Sequence, residues 1–340
     1  MSSASGLDEL PFVSVVTPAY NQAQFLRETI ESVLTQDYPR IEYRVIDDGS
    51  TDATRSILEE YDGRILWDSR PNRGQTATIN QGWEQCTGDI LIWLNSDDTF
   101  LPGAVRSAVD YLRARPEVGI VFGDSLFTEA DGTPLHRSRD CGAFDYRRFV
   151  LECENPICQP SAFLRRSVVE DVGPLDPYYF YFMDWDYWLR SGLRHRIEHH
   201  PELWSTYRLH AASNTVAQAK RVAPELERMY GRFFERADLP DWARARRDEA
   251  TANMWFTTAG YYSKGGAHDL AAEAGKAAQR AYPALTRDPR MLRKWAFCRY
   301  GNHPVYRAGR SLLRRIRTKP SPKGPLHAAD ASRGRSTTIS

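Results

Sequence analysis

The chain has 340 residues, 41% of them hydrophobic, with 45 basic and 44 acidic side chains and a formal net charge of +1. That length allows one substantial core plus a smaller appendage, and near-neutrality removes the global field that a nucleic-acid partner would require. No run of 18 consecutive apolar residues occurs, so nothing in the sequence reads as a membrane span.

The predicted elements alternate from the start. Residues 1–10 are short, polar and expected to be flexible, without the basic and apolar regions of a signal peptide. Residues 12–17 form a β-rich run closed by Pro18, followed by Phe25, Leu26, Ile30, Val33 and Leu34 at helical spacing. Residues 43–46 predict a second strand, ending in Asp47-Asp48-Gly49-Ser50-Thr51-Asp52, and residues 54–61 a helix. Residues 65–67 predict a third strand, 76–86 a helix, and 90–94 a fourth strand that stops abruptly at Asn95-Ser96-Asp97-Asp98. Strands alternating with helices imply a mostly parallel sheet, and ligands bind beyond the carboxyl ends of such strands. Pro18–Asn21, 47–52 and 95–98 would all lie on that edge.

Further along, 118–128 is β-rich, 134–155 reads as irregular, and 183–193 as a helix. After a boundary near Val216 the texture becomes rich in Ala, Arg and Glu, with helices expected over 224–237, 242–262 and 267–282. The expected organisation is a catalytic domain over 11–215, a helical basic extension over 216–317 and a disordered tail over 318–340. Residues 290–319 carry ten Lys or Arg and no acid, interleaved with aromatics. Such a stretch fits either a peripheral contact with an anionic membrane surface or a helical subdomain packed on the core. Five cysteines (Cys86, Cys141, Cys153, Cys158, Cys298) lack zinc-like spacing and are expected to be free thiols, which suits a cytoplasmic location, at the inner face of a membrane if the basic segment docks there.

Adjacent carboxylates at the end of a buried strand need a positive partner, and a divalent cation holding a diphosphate is the usual solution. Taken with the other strand exits, the ordered set 13–21, 45–52, Asn72-Arg73-Gly74-Gln75, Asn80-Gln81-Gly82, 93–98, Gln159-Pro160-Ser161, 183–190 and Tyr207-Arg208-Leu209-His210 resembles family 2 glycosyltransferases of the GT-A fold. The resemblance covers residues 11 to 215. It implies an α/β, Rossmann-like sheet flanked by helices, and transfer of a sugar from a nucleotide-diphosphate donor, UDP-sugar favoured, to a glycan or lipid-linked acceptor with inversion.

By the same resemblance Asp48 would accept a hydrogen bond from the nucleotide base, flanked by Pro18 and Tyr20. Asn21, Arg73, Gln75, Asn95 and Asp97 would contribute further donor contacts. Read from the residues alone, 47–52 is equally a turn with helix-capping residues and Arg73 an exposed arginine. Asp97 and Asp98 match the family's metal-binding carboxylates for Mg²⁺ or Mn²⁺, with either of them free to bind ribose instead, and His210 matches a histidine brought to metal or diphosphate. Asp184 matches the general base, with Asp186 as competitor, better suited to a solvated helical face. Gln159 and Trp185 are candidate walls of the acceptor pocket, and His199-His200 reads as structural. Two residues depart from the pattern: Asn95 where Asp is common, and Met183 where Glu usually precedes the base. They leave open an inactive, transferase-like subunit that binds sugar nucleotide or acts as a scaffold. The absence of a Gln-x-x-Arg-Trp motif points to addition of one or a few sugars rather than processive synthesis.

Overall fold

The computed structural model describes residues 10–138, 142–210 and 219–300. Strand β1 (Val13–Ala19) runs into α1 (Ala23–Leu34), β2 (Ile41–Asp47) into α2 (Thr54–Glu60), β3 (Leu66–Ser69) into α3 (Gln75–Gln85), and the chain returns through β4 (Ile90–Trp93). These four strands lie in the order β3-β2-β1-β4, every neighbouring pair parallel.

Their sequence explains the arrangement. Val13, Val15, Ile90 and Ile92 face one apolar layer with Leu26, Ile30 and Val45. Val16, Leu91 and Trp93 face the other, with Ile79, Trp83 and Trp188. A strand covered on both faces reads as a continuous apolar run, which is how 90–94 looks.

Beyond β4 the sheet is mixed. The chain continues through β5 (Thr99–Phe100), α4 (Ala104–Ala114), β6 (Val118–Thr128), β7 (Pro134–Arg137), α5 (Tyr146–Glu152), β8 (Ala162–Arg165), α6 (Arg166–Val172), α7 (Met183–Ser191) and β9 (Arg196–Arg208). The spatial order runs on as β4-β8-β6-β9-β5, with β7 on β6. Strand β8 is antiparallel to both β4 and β6, while β6 and β9 are parallel. The mostly parallel expectation therefore holds for the first half of the sheet; β8, inserted antiparallel between β4 and β6, makes the second half mixed.

Residues 134–155 are not wholly irregular, since they hold β7 and α5, the latter capped by the Asp145 side chain accepting from Arg148 N at 3.1 Å. Seven residues are too few to show a helical period.

The C-terminal helices are α8 (Ala219–Phe234), α9 (Asp241–Arg244), α10 (Arg247–Lys264), α11 (His268–Ala281) and α12 (Pro289–Tyr300). Helix α8 begins before Pro224 and runs through it. Leu226, Met229, Tyr230 and Phe233 of α8 and Met254 of α10 join the apolar layer formed by Trp93, Tyr187 and Trp188, so the extension shares a core with the sheet. Asn253 Nδ2 donates to Leu151 O at 3.0 Å and Tyr230 OH to Val150 O at 2.9 Å. Met291 of α12 packs with Phe256 and Ala274, and Lys294 Nζ donates to Asn253 Oδ1 at 2.9 Å. The start of the basic segment thus packs on the helices; residues 301–319 and the boundary near Val216 lie outside the described residues. Cys86, Cys153 and Cys158 are free. No helix among the described residues is long and apolar enough to cross a membrane.

Candidate active site

The carboxyl ends of β1, β2 and β4 sit side by side, so their exits form one polar rim. At the β2 exit Asp47 is buried and accepts from Ser50 N at 2.9 Å and Ser69 Oγ at 2.7 Å, which makes it a turn anchor. Asp48, also buried, takes Arg70 Nη1 at 2.5 Å, Arg73 N at 2.9 Å and Gly74 N at 2.8 Å. Its carboxylate therefore shapes the turn between β3 and α3. The guanidinium in this site is that of Arg70, whose Nη2 also reaches Thr78 Oγ1 at 2.7 Å. Arg73 lends only its backbone N–H and its side chain is exposed. Arg70 N bonds to Asp47 O, which directs Arg70 inward from the strand end.

Pro18 is buried at the end of β1 and Tyr20 stands 49% exposed just beyond it. Asn21 adopts φ 53°, its N–H donates to Ser50 Oγ at 2.9 Å and its Oδ1 accepts from Thr51 N at 2.8 Å. Asn21 thus ties the first two strand exits together, a role that its tolerance of left-handed backbone allows. Gly49, at φ +81°, lies where a Cβ would meet Asn72 N at 2.9 Å.

At the β4 exit the chain turns tightly, Asp98 N bonding Asn95 O, and enters β5. Strand β5 pairs with β9 through Thr99↔Thr206, and this pairing carries Arg208 and His210 onto the aspartates. His210 Nε2 lies 2.9 Å from Asp97 Oδ2, although 113 residues separate them. Asp98 Oδ1 accepts Arg208 N at 2.9 Å, and Thr29 Oγ1 donates to Asp98 O at 2.8 Å. Burial, and next the neighbouring Asp97, pushes the Asp98 carboxyl well above the usual carboxylate range.

Arg208 is 4% exposed, donates to Asp97 O at 2.9 Å and Glu28 Oε2 at 2.5 Å, and lies 4.8 Å over the Phe25 ring. Phe25 also packs against His210, with ring centroids 4.8 Å apart. Arg208 was legible only as a letter of a motif, because its partners come from α1, from the β4 exit and from Ala130.

Asn95 is held rather than free. Gln75 Nε2 donates to its Oδ1 at 2.8 Å, and its Nδ2 donates to Gln159 Oε1 at 3.1 Å. Gln159 is buried and also donates to Trp93 O at 2.6 Å, so it fastens the β4 exit. Asn80 forms a two-way clamp with Leu175, donating to its carbonyl and accepting its N–H, both at 2.9 Å.

Asp184 occupies the first turn of α7, half-buried, and burial pushes its carboxyl up to about 7. Asp186 is not on a solvated face; it is buried and takes Arg190 Nε at 2.8 Å as an ion pair. Trp185 packs against Phe149 and Phe182. His199 lies 2.9 Å from Asp124 Oδ1, which the pairing of β6 with β9 supplies, while His200 packs on Tyr111. Among the described residues no group of three or more His, Cys, Asp or Glu converges as a metal cage.

The profile described as Glycosyl transferase family 2 matches residues 14–173. An uncharacterized glycosyltransferase of Mycobacterium tuberculosis is 33% identical over 186 residues, 54% of this chain and 70% of that protein. The chain belongs to glycosyltransferase family 2. The family 2 assignment agrees with the fold. TarS of S. aureus, solved in complex with UDP-GlcNAc, superposes with a TM-score of 0.62 at 16% identity, covering 90% of this chain and 92% of that one. The mannosyltransferase PcManGT of Pyrobaculum calidifontis, in complex with GDP-Man and Mn²⁺, superposes with a TM-score of 0.56 at 20% identity, covering 92% and 89%. The family 2 match ends before α7 and β9, so it does not cover Asp184, Arg208 and His210.

Proposed function

We propose that the protein transfers a sugar from a nucleotide-diphosphate donor, UDP-sugar favoured, to a hydroxyl of a glycan or lipid-linked acceptor with inversion at the anomeric carbon. The observation that carries this reading is the contact of Asp97 with His210 at the carboxyl edge of a parallel sheet, joined by segments 113 residues apart. The turn over 70–74, held by Asp48, and the exposed Tyr20 ring at the β1 exit would form the wall for the nucleotide.

The residues at the β4 exit fit a hard divalent cation, Mg²⁺ or Mn²⁺. Asp97 and His210 present oxygen and nitrogen donors in contact, and so small a protein set suits an ion that takes its other ligands from phosphate and water. When bound there, the cation supplies neutralising charge to the departing diphosphate. Asp98, buried and bonded to Arg208 N, anchors the turn that presents Asp97.

Asp184 is the general base. A half-buried carboxyl near neutrality is ionised enough to accept a proton and basic enough to take it from a hydroxyl. It removes the acceptor proton as that oxygen attacks the anomeric carbon opposite the leaving diphosphate, and a single displacement inverts the centre. The basic segment that continues past α12 is proposed as a peripheral contact with anionic lipid.

Calorimetric titration with UDP, GDP and TDP, each with Mn²⁺ and with chelator, tests the donor site. Binding of one nucleotide that chelator abolishes is the expected result; no binding of any refutes the site. Tight binding with no turnover toward water or acceptor would instead favour the inactive, scaffolding reading.

A further inference from the structure

The loop that leads into α7 has no side-chain cap of its own, for Phe182 at the helix start offers no acceptor. Helix α8 supplies one from outside. Glu225 Oε1 accepts Phe180 N at 3.1 Å, and Oε2 accepts Tyr181 N at 2.9 Å and Phe182 N at 3.2 Å. The Glu225 side chain belongs to a residue 5% exposed, so these bonds are shielded from water. Three consecutive N–H groups converging on one carboxylate form an anion nest, and the negative charge also sits at the positive end of the α7 dipole.

The same loop is held from the donor side, where Thr76 Oγ1 donates to Tyr179 O at 3.2 Å and Asn80 clamps Leu175. From α10, Tyr261 packs edge-on to Phe182, with centroids 5.7 Å apart, close enough for the Asp184 charge, after burial, to raise its phenol pKa. Asp184 follows the last clamped residue by two positions. We propose that Glu225 is a positioning residue for the transfer reaction: the C-terminal helices set the place of the base by clamping residues 180–182. The inference rests on Asp184 being the base, and it gives the helical extension a part in catalysis.

A carboxylate is required because three donors are shared between two acceptor oxygens. Glutamine of the same size offers one acceptor and turns an NH₂ toward at least one N–H. The test therefore compares the full chain with Glu225→Gln, with Met229→Leu as a packing control on the same helix, and with Asp184→Asn. Amide hydrogen exchange is read at residues 180–182, nucleotide affinity by titration with UDP and GDP in Mn²⁺, and turnover as UDP released from UDP-GlcNAc or GDP from GDP-mannose, with water as acceptor.

Glu225→Gln is expected to speed exchange at 180–182 by about tenfold or more and to lower kcat by about a hundredfold with nucleotide affinity and KM unchanged, as a misplaced base would. Met229→Leu should leave all readings as they were. Unaltered exchange, an unaltered kcat, or a loss of kcat matched by lost nucleotide affinity would each overturn the inference. If Asp184→Asn turns over like the wild type, the base assignment fails instead, and the two failures are told apart.

Discussion

Asp184 and Asp48 show how one residue type takes opposite parts according to its partners. Asp184 is left with a raised pKa of about 7, so the proposed base is ionised above that value and transfer should slow as pH falls through it. A pH–rate profile with its acidic limb in the ordinary carboxyl range would contradict this. Asp184→Asn should keep nucleotide affinity and lose about 10²- to 10⁴-fold in transfer rate, the span of general base catalysis. The same shift bears on stability. A carboxyl whose folded pKa is raised binds its proton more tightly when folded, so its ionisation destabilises the protein progressively from the ordinary carboxyl pKa up to about 7. Asp184→Asn should therefore melt higher than wild type at about pH 8, an advantage that vanishes by about pH 4. Asp48, by contrast, is satisfied by Arg70 and two backbone N–H groups. Asp48→Ala would leave the Arg70 charge, 11% exposed, without its carboxylate, at a cost of about 3 to 5 kcal/mol in denaturant unfolding.

At the scale of elements, the site exists because a two-residue strand pairs with the long β9. Strand β5 holds two residues, yet its register with β9 sets Asp98 against Arg208 and Asp97 against His210. Helix α3 contributes by coming close to β1. A Cβ on Gly82 would lie 2.4 Å from Val16 Cγ1, so Gly82→Ala must push α3 away from the strand. Overpacking of that kind costs about 1 to 3 kcal/mol, and here it would also shift Gln75 and Thr76 at the head of the helix. Chemical denaturation together with nucleotide titration should show both losses; a variant stable and tight-binding would mean that α3 can tilt without consequence. Asn80-Gln81-Gly82, part of the ordered set that carries the family resemblance, serves packing: Asn80 clamps Leu175 and Gly82 admits Val16.

For the molecule as a whole, the C-terminal helices complete the core under α7. Removing them would take away Leu226, Met229 and Tyr230 and lay bare the layer of Trp93, Tyr187 and Trp188. Thermal unfolding should accordingly be a single cooperative transition by near- and far-ultraviolet circular dichroism; two separated transitions would mean that the helices fold apart from the sheet. Removing only residues 301–340 tests the basic segment. Sedimentation with vesicles carrying anionic lipid should fall to the level of zwitterionic vesicles in the shortened chain, and equal partitioning of both chains would return the segment to a packing role.

The alternation of strand and helix over the first hundred residues, the two-sided burial of 90–94 and the gathering of polar exits at one edge were legible because they depend on periodicities of two and 3.6 and on turn chemistry within a few residues. Helix α5, too short to show a period, was not, nor were the mixed half of the sheet and the pairing of Arg70 with Asp48, which are settled by neighbours distant in the chain. By itself the sequence determined the family, the parallel half of the sheet and the residue types at its carboxyl edge. Tertiary structure alone decided that Asp98 accepts the Arg208 N–H and that Glu225 reaches back to residues 180–182. The reason is physical: burial and charge pairing depend on which segments meet, and contacts spanning 43 to 113 residues leave no local signature in composition or spacing.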